Sequence, residues 1–170
     1  TLLSYTRMIS NTLMTDAEKD THIKSLKDLF ASAKVMYVNN QFLNIQLPQI
    51  SEALTFSKAY GFGDYASNFS GLSLDFILTE SRLQKDVTAK LKGLAGDYNV
   101  EVEKGFGFAD CLRVDCYIKS RNLIVEIDGP YHYDKCGRLN YYSRQKQTLL
   151  EKLGLKVERI KYDNWGNASE

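Results

Sequence analysis

Two strand-like segments, LRVDCYI at 112–118 and NLIVEID at 122–128, follow each other so closely that they constrain the fold more than any other feature. A turn centred between Ser120 and Arg121 is too short for a crossover, so the two strands must pair as an antiparallel hairpin. Because side chains alternate between the faces of a strand, Asp115 and Asp128 are then expected on one face with Glu126. That register places Asp115 directly across from Glu126.

The segments around this hairpin predict an α/β fold. A helical pattern begins at Ser81 and is followed by a strand-like stretch, NVEVEKG, before the hairpin; a second helix, SRQKQTLLEKLG, and a last strand, LKVERIKY, come after it. The order is therefore helix, three strands, helix, strand. Since the last strand follows a helix, it can return parallel by a crossover, which predicts a mixed sheet.

Residues 1–80 read differently, and they predict a small helical segment before the domain at 81–170. The stretch AEKDTHIKSLKDLFASAKVMY and the stretch after Pro48 both have helical spacing of apolar residues. The period of GLSLDFILTES leaves strand and helix open. Helices of this kind are compatible with the end of a helical-repeat array.

Composition excludes several classes of protein. A hydrophobic share of 44% with 25% charged residues excludes disorder, collagen and coiled coil as global descriptions. The chain lacks the apolar run of about 18 residues that spans a membrane. Its three cysteines are odd in number and show no C-x-x-C spacing, which favours a reducing, intracellular environment. Because the chain begins with Thr1, we expect a fragment or a processed product.

The charge is unevenly distributed. Residues 1–80 contain six Lys/Arg and eight Asp/Glu, whereas residues 119–161 contain ten and five. A mildly basic C-terminal half is compatible with a polyanionic partner, and equally with an ordinary solvated face.

The acidic hairpin carries the clearest chemical signal. Like charges directly opposed on adjacent strands destabilise a sheet unless a cation or a shared proton compensates them. Carboxylates are hard oxygen ligands suited to Mg²⁺ or Mn²⁺. The spacing therefore predicts a metal site formed by Asp115, Glu126 and Asp128.

Two further residues are candidates for the same site. Lys146 continues the apolar stripe of the second helix by one turn, so it could reach the carboxylates or extend past the leucines to solvent. His132 follows the turn signal Asp128-Gly129-Pro130 and could serve as general base, metal ligand or phosphate contact, or have only a structural role.

The run LIVEIDGPYHY at 123–133 and the run LLEKLGLKVERIKYDNW at 149–165 resemble the RAP domain, an RNA-binding domain abundant in apicomplexans and shared with the FAST kinase family. The elements E-x-D-G-P-x-H, K-x-x-x-L and a terminal stretch from Asp163 to Trp165 occur in order, and the match covers about residues 108–166. The resemblance implies a restriction-endonuclease-like core of the PD-(D/E)XK superfamily.

The resemblance also implies residue roles. Asp115 matches the metal-binding aspartate of the nuclease pattern, and Glu126 matches the acidic member of its (D/E)XK element. Asp128 stands where that element has lysine, and Lys146 could replace the lysine from the helix. His132 matches the family histidine, while Trp165 matches the family tryptophan and is favoured as a cap on the core.

These observations lead to one favoured function and two alternatives. The favoured one is an RNA-binding domain in mitochondrial or other organellar RNA processing, stability or translation, with or without ribonucleoprotein partners. The predicted RNA contacts are Tyr131, His132, Lys135, Arg138, Arg144 and Lys146, with Tyr133, Tyr141 and Tyr142 as further stacking candidates. The alternatives are a metal-dependent endoribonuclease using Asp115, Glu126, Asp128, His132 and Lys146, and a protein-interaction module with a relic acidic site.

Overall fold

The structure, a computed structural model, describes residues 2–10, 14–42, 46–76 and 80–165. The chain divides into two compact units, the first comprising Thr1–Asp75 with Gly107–Cys111 and the second comprising Phe76–Phe106 with Leu112–Glu170. The first boundary lies close to residue 80, where the sequence pattern changes. The assignment of Gly107–Cys111 to the first unit was not expected, because this segment connects two strands of the second.

The first unit is helical in its described part. It contains α1 (Leu2–Ser10), α2 (Asp16–Val38) and α3 (Leu47–Ala59). A capping box begins α2: the Thr15 side chain accepts from the Glu18 N–H, and the Glu18 carboxylate accepts from the Thr15 N–H at 2.8 Å. The stretch at 71–81, which the sequence left open, is neither helix nor strand in its described residues, and 77–79 lie outside them.

Gly107–Cys111 is held within the first unit by Thr55 of α3. The Phe108 N–H donates to Thr55 Oγ1 at 2.9 Å, and that hydroxyl donates to the Ser51 carbonyl at 2.9 Å. Gly107 has a φ of +76°, and a Cβ there would lie 2.7 Å from Thr55 Oγ1. Glycine is therefore required by both the backbone conformation and the close approach of Thr55.

The second unit has the predicted order of elements. It contains α4 (Arg82–Ala95), β1 (Val100–Phe106), β2 (Leu112–Ile118), β3 (Leu123–Asp128), α5 (Tyr141–Lys152) and β4 (Lys156–Lys161). The strands lie in the order β1-β2-β3-β4, with antiparallel β1/β2 and β2/β3 pairs and a parallel β3/β4 pair. The α/β class and the mixed sheet are confirmed, and the restriction-endonuclease-like core stays a prediction.

The apolar core of the second unit lies between α4 and one face of the sheet. Its buried members are Val87, Val100, Cys116, Ile118, Val125 and Ile127. Trp165 packs against this cluster, and the Lys90 ammonium lies 4.8 Å from its ring centroid, so the tryptophan covers the core as the sequence favoured. Strand alternation then directs Glu126 and Asp128 to the opposite face of the sheet.

None of the helices in the described ranges has the length and apolar character needed to cross a bilayer.

Candidate functional site

The predicted hairpin register is correct for the three pairs that form, but the predicted pair of Asp115 with Glu126 is not among them. β2 and β3 pair through Cys116↔Val125, Tyr117↔Ile124 and Ile118↔Leu123. Beyond Cys116 the backbone pairing of β2 with β3 stops. There the Asp115 side chain accepts a hydrogen bond from the strand instead, with Asp115 Oδ2 accepting from the Ile127 N–H at 2.6 Å. Asp115 therefore lies where the two strands separate, and its carboxylate replaces the backbone partner that Ile127 would otherwise lack.

The second oxygen of Asp115 is bound by the first turn of α4. Gln84 Nε2 donates to Asp115 Oδ1 at 2.5 Å, while Gln84 Oε1 accepts from the Ser81 N–H at 2.6 Å. The same amide thus completes a capping box at the start of α4 and fixes the Asp115 side chain. Asp115 is stabilised here by two neutral donors.

Glu103 of β1 is a functional candidate that the sequence did not single out. It lies between the pairs Val102↔Cys116 and Lys104↔Val114 and has a φ of +50°, so the backbone bends at the position facing Asp115. Burial raises the pKa of Glu103, and the negative charge of Asp115 raises it further. A run of alternating glutamates in NVEVEKG was the available signal, although a local bend of this kind is not readable from periodicity.

Glu126 is buried and carries its own counterion. Lys146 of α5 brings its Nζ within 2.7 Å of Glu126 Oε1, with the lysine side chain 30% exposed. Burial raises the pKa of Glu126 above its ordinary value, and the Lys146 ammonium opposes that rise. Of the two alternatives for Lys146, the structure places it at the carboxylate rather than in solvent.

Asp128 is bound by an arginine that sequence reasoning missed. Arg159 Nε donates to Asp128 Oδ2 and Arg159 Nη2 to Oδ1, both at 2.6 Å, and the Tyr133 hydroxyl donates to Oδ2 at 2.9 Å. Although burial alone would raise it, these bonds and the arginine charge hold the pKa of Asp128 below its ordinary value. We call Asp128, Arg159 and Tyr133 the Asp128 network.

His132 joins this network from the turn that follows β3. Its Nδ1 lies 3.0 Å from the Ser143 hydroxyl and 3.6 Å from Asp128 Oδ1, so this edge of the ring is directed into the protein. Ser143 is buried in the first turn of α5, where its N–H donates to the Asn140 side chain at 2.9 Å. The histidine is therefore beside the carboxylates, as predicted, and connects β3 to α5.

Each of the predicted metal ligands has protein partners in this arrangement. Asp128 forms a bidentate ion pair with Arg159, and Glu126 forms an ion pair with Lys146. Asp115 accepts hydrogen bonds from the Gln84 side-chain amide and from the Ile127 N–H. Within the described residues, no three His, Cys, Asp or Glu side chains are arranged to hold a metal. Protein cations supply the compensation that the like charges require. The Mg²⁺ or Mn²⁺ site stays a prediction that this geometry does not favour.

The remaining predicted contacts lie on the surface after β3. Tyr131, Tyr141 and Tyr142 are 93%, 48% and 70% exposed. Lys135 and Arg144 are exposed and form no ion pair with any described residue, whereas Arg138 pairs with Asp134 at 3.0 Å.

Tyr133 differs from the other tyrosines of this segment. Its hydroxyl is bound to Asp128, and the Lys161 ammonium lies 5.1 Å from its ring centroid. Burial and the hydrogen bond to Asp128 raise the pKa of Tyr133 to about 12. Tyr133 is thus a positioning residue for the Asp128 network rather than a free stacking surface.

Comparison with known proteins adds no assignment: the chain matches no protein-family model and no curated protein.

Proposed function

We propose that this chain binds RNA through the surface formed by residues 131–146 of its second unit. The observation that carries the proposal is the pair of unpaired, exposed cations, Lys135 and Arg144, within a segment that also displays three exposed tyrosines. Residues 129–146 contain four Lys/Arg and one Asp. Phosphate contacts by such cations supply most of the sequence-independent affinity of a nucleic-acid-binding protein.

The internal ion pairs support this proposal. Uncompensated carboxylates beside the surface would repel a phosphate backbone. Here Lys146 and Arg159 offset Glu126 and Asp128 inside the protein, so the exposed cations are not opposed by an open acidic site. The residues that the nuclease pattern uses for a metal ion act in this proposal as a structural support for the binding surface.

The resemblance to RAP domains extends the proposal to a biological setting. It adds organellar RNA processing, stability or translation, and ribonucleoprotein partners, as the context in which the binding takes place. The endoribonuclease alternative receives less support, because its three carboxylates already have protein partners.

The salt dependence of RNA binding tests the proposal. Fluorescence anisotropy with a labelled single-stranded RNA should show affinity falling steeply as salt rises, because bound phosphates release counterions. Lys135→Gln and Arg144→Gln should each weaken binding and reduce the slope of log K against log salt by about 0.7. Arg121→Gln is the matched control, since Arg121 is an exposed cation in the turn at the other end of β3.

Two outcomes would contradict the proposal. Affinity that stays constant as salt rises rejects phosphate-driven binding and favours the protein-interaction alternative. Equal losses in the Lys135, Arg144 and Arg121 variants would show that the cations act without regard to position, which rejects the assigned surface.

A further inference from the structure

The segment that carries the exposed Tyr131 is closed by hydrogen bonds into a defined loop. The Asp134 N–H donates to the Arg138 carbonyl at 2.8 Å, and the Asn140 N–H donates to the His132 carbonyl at 2.8 Å. Between them, Tyr133 and Leu139 form an antiparallel bridge. Residues 129–140 therefore form a compact hairpin loop, and its conformation is set before any partner binds.

Asn140 links the backbone of Tyr131 to the start of α5, where Tyr141 and Tyr142 lie. Its Nδ2 donates to the Tyr131 carbonyl at 2.9 Å, and its Oδ1 accepts from the Ser143 N–H as the cap of α5. Tyr131 at one end of the loop thus lies beside the residues that follow Asn140. The rings of Tyr141 and Tyr142 meet edge to face with centroids 5.7 Å apart. We call Tyr131, Tyr141 and Tyr142 the tyrosine platform.

The exposure of these rings requires an explanation. Tyr131 is almost fully exposed although its backbone is held in place, so its ring gains nothing from the fold. Isolated apolar residues on a surface are normal, but here an exposed ring on a hydrogen-bonded loop is followed, after Asn140, by two exposed rings in the first turn of α5. Along the chain, the exposed cation Lys135 lies between Tyr131 and Tyr141, and the exposed cation Arg144 follows Tyr142 in the first turn of α5. Aromatic faces interleaved with unpaired cations match a chain of bases joined by phosphates.

We propose, on the basis of the RNA-binding function above, that the tyrosine platform stacks unpaired bases and makes the site selective for single strands. In a duplex the bases are stacked on each other, and the deep, narrow major groove of A-form RNA does not admit side chains. An unpaired base presents its face to a ring, and every base has such a face. The site is therefore selective for strandedness and tolerant of sequence.

The test compares one labelled oligouridine of about 12 nucleotides, within the site sizes of single-strand binders, with a blunt RNA duplex of equal length. The single strand should bind at least about tenfold more tightly than the duplex. Tyr131→Ala and Tyr142→Ala should each weaken single-strand binding about tenfold, while Tyr131→Phe keeps wild-type affinity because it keeps the ring. Leu94→Ala is the control, since Leu94 is 86% exposed on α4, outside the platform. Thermal melts of each variant report folding separately.

The outcomes separate this inference from the function on which it rests. If the duplex binds as tightly as the single strand and Lys135→Gln weakens both, RNA binding stands and the single-strand inference is overturned. If the single strand is preferred but both alanine variants bind like the wild type, the platform is the wrong site. If neither RNA binds, the proposed function fails together with the inference.

Discussion

Arg159 and Asp128 form a two-pronged ion pair across the parallel strands β4 and β3, with both N–O distances at 2.6 Å. The Asp128 side chain is 1% exposed and that of Arg159 is 13% exposed, and the Tyr133 hydroxyl donates to a further acceptor site of the carboxylate. The pair lies at the end of β3, where the hairpin loop at 129–140 begins. It therefore anchors the loop that displays the proposed RNA-binding surface.

Breaking this pair from one side should be costly. Asp128→Asn leaves the Arg159 guanidinium buried without its counterion, and such a change destabilises proteins by roughly 3–5 kcal/mol. Urea unfolding measures the loss in the free energy of unfolding. Asp163→Asn serves as control, because Asp163 pairs with Lys161 at a solvent-exposed site, where a salt bridge contributes little to stability. Equal losses in the two variants would contradict the anchoring role.

Neutralising Glu126, unlike neutralising Asp128, should not destabilise the protein. Its pKa is raised above 4.5, mainly by burial, so the folded state favours the protonated form. That contribution to stability is fully present below pH 4.5 and is lost as the pH rises through the folded-state pKa. Glu126→Gln keeps the neutral form at all pH values, so it should equal the wild type in stability at low pH and match or exceed it at pH 7. The test is the free energy of unfolding of the wild type and of Glu126→Gln, measured from low pH to pH 7. A loss at pH 7 as large as that of Asp128→Asn would refute the claim that burial of the Glu126 carboxylate favours its neutral form.

Divalent ions should leave the stability of the protein unchanged. A ligand that binds only the folded state raises the melting temperature in proportion to the logarithm of its concentration. Because Lys146 and Arg159 already compensate the carboxylates, we expect the same melting temperature in EDTA, Mg²⁺ and Mn²⁺.

A melting temperature that rises with metal concentration, and no longer rises in Asp115→Asn, would restore the metal site predicted from sequence. Metal-dependent cleavage of single-stranded RNA that both Asp115→Asn and Glu126→Gln abolish would then establish the endoribonuclease alternative.

Gly107 should be harder to replace than Gly71, another positive-φ glycine of the first unit. Gly107→Ala places a side chain at φ +76° and ψ −169°, a conformation essentially restricted to glycine that costs about 1–3 kcal/mol, and adds a contact at 2.7 Å with Thr55. Gly71→Ala shares the positive φ of +85° but meets no atom within 4 Å, so it isolates the backbone cost. We expect Gly107→Ala to lose about 1–3 kcal/mol more than Gly71→Ala in urea unfolding. Equal losses would show that Thr55 moves aside at no cost.

What could be predicted from the sequence was local. The turn at Ser120 and Arg121 fixed the hairpin register, because a short connection leaves the strands few ways to pair. The partners of the acidic residues were harder to find. Arg159 pairs with Glu126 in the β3/β4 ladder, and its side chain reaches Asp128 two residues further along β3. That placement depends on the register in which β4 returns through α5, and a crossover of that length does not reveal its register. Lys146 could be named as a candidate because it continues a stripe on its own helix, although the stripe left its contact with solvent equally open.

Tyr133 and Gly107–Cys111 show the same limit. A tyrosine among four in one segment reads as a stacking candidate, and only the folded chain shows that its hydroxyl is bound to Asp128. The loop between β1 and β2 reads as a simple connection, and its attachment to Thr55 depends on residues that are distant in sequence.

Ultraviolet crosslinking of the full chain to a single-stranded RNA, followed by peptide mapping, tests the central claim most directly, because it reports binding and position together. The account predicts crosslinks within residues 131–146, concentrated at Tyr131, Tyr141 and Tyr142, and their loss as salt rises. Crosslinks confined to the helices of the first unit, or a yield no higher than that of a protein without affinity for RNA, would contradict it.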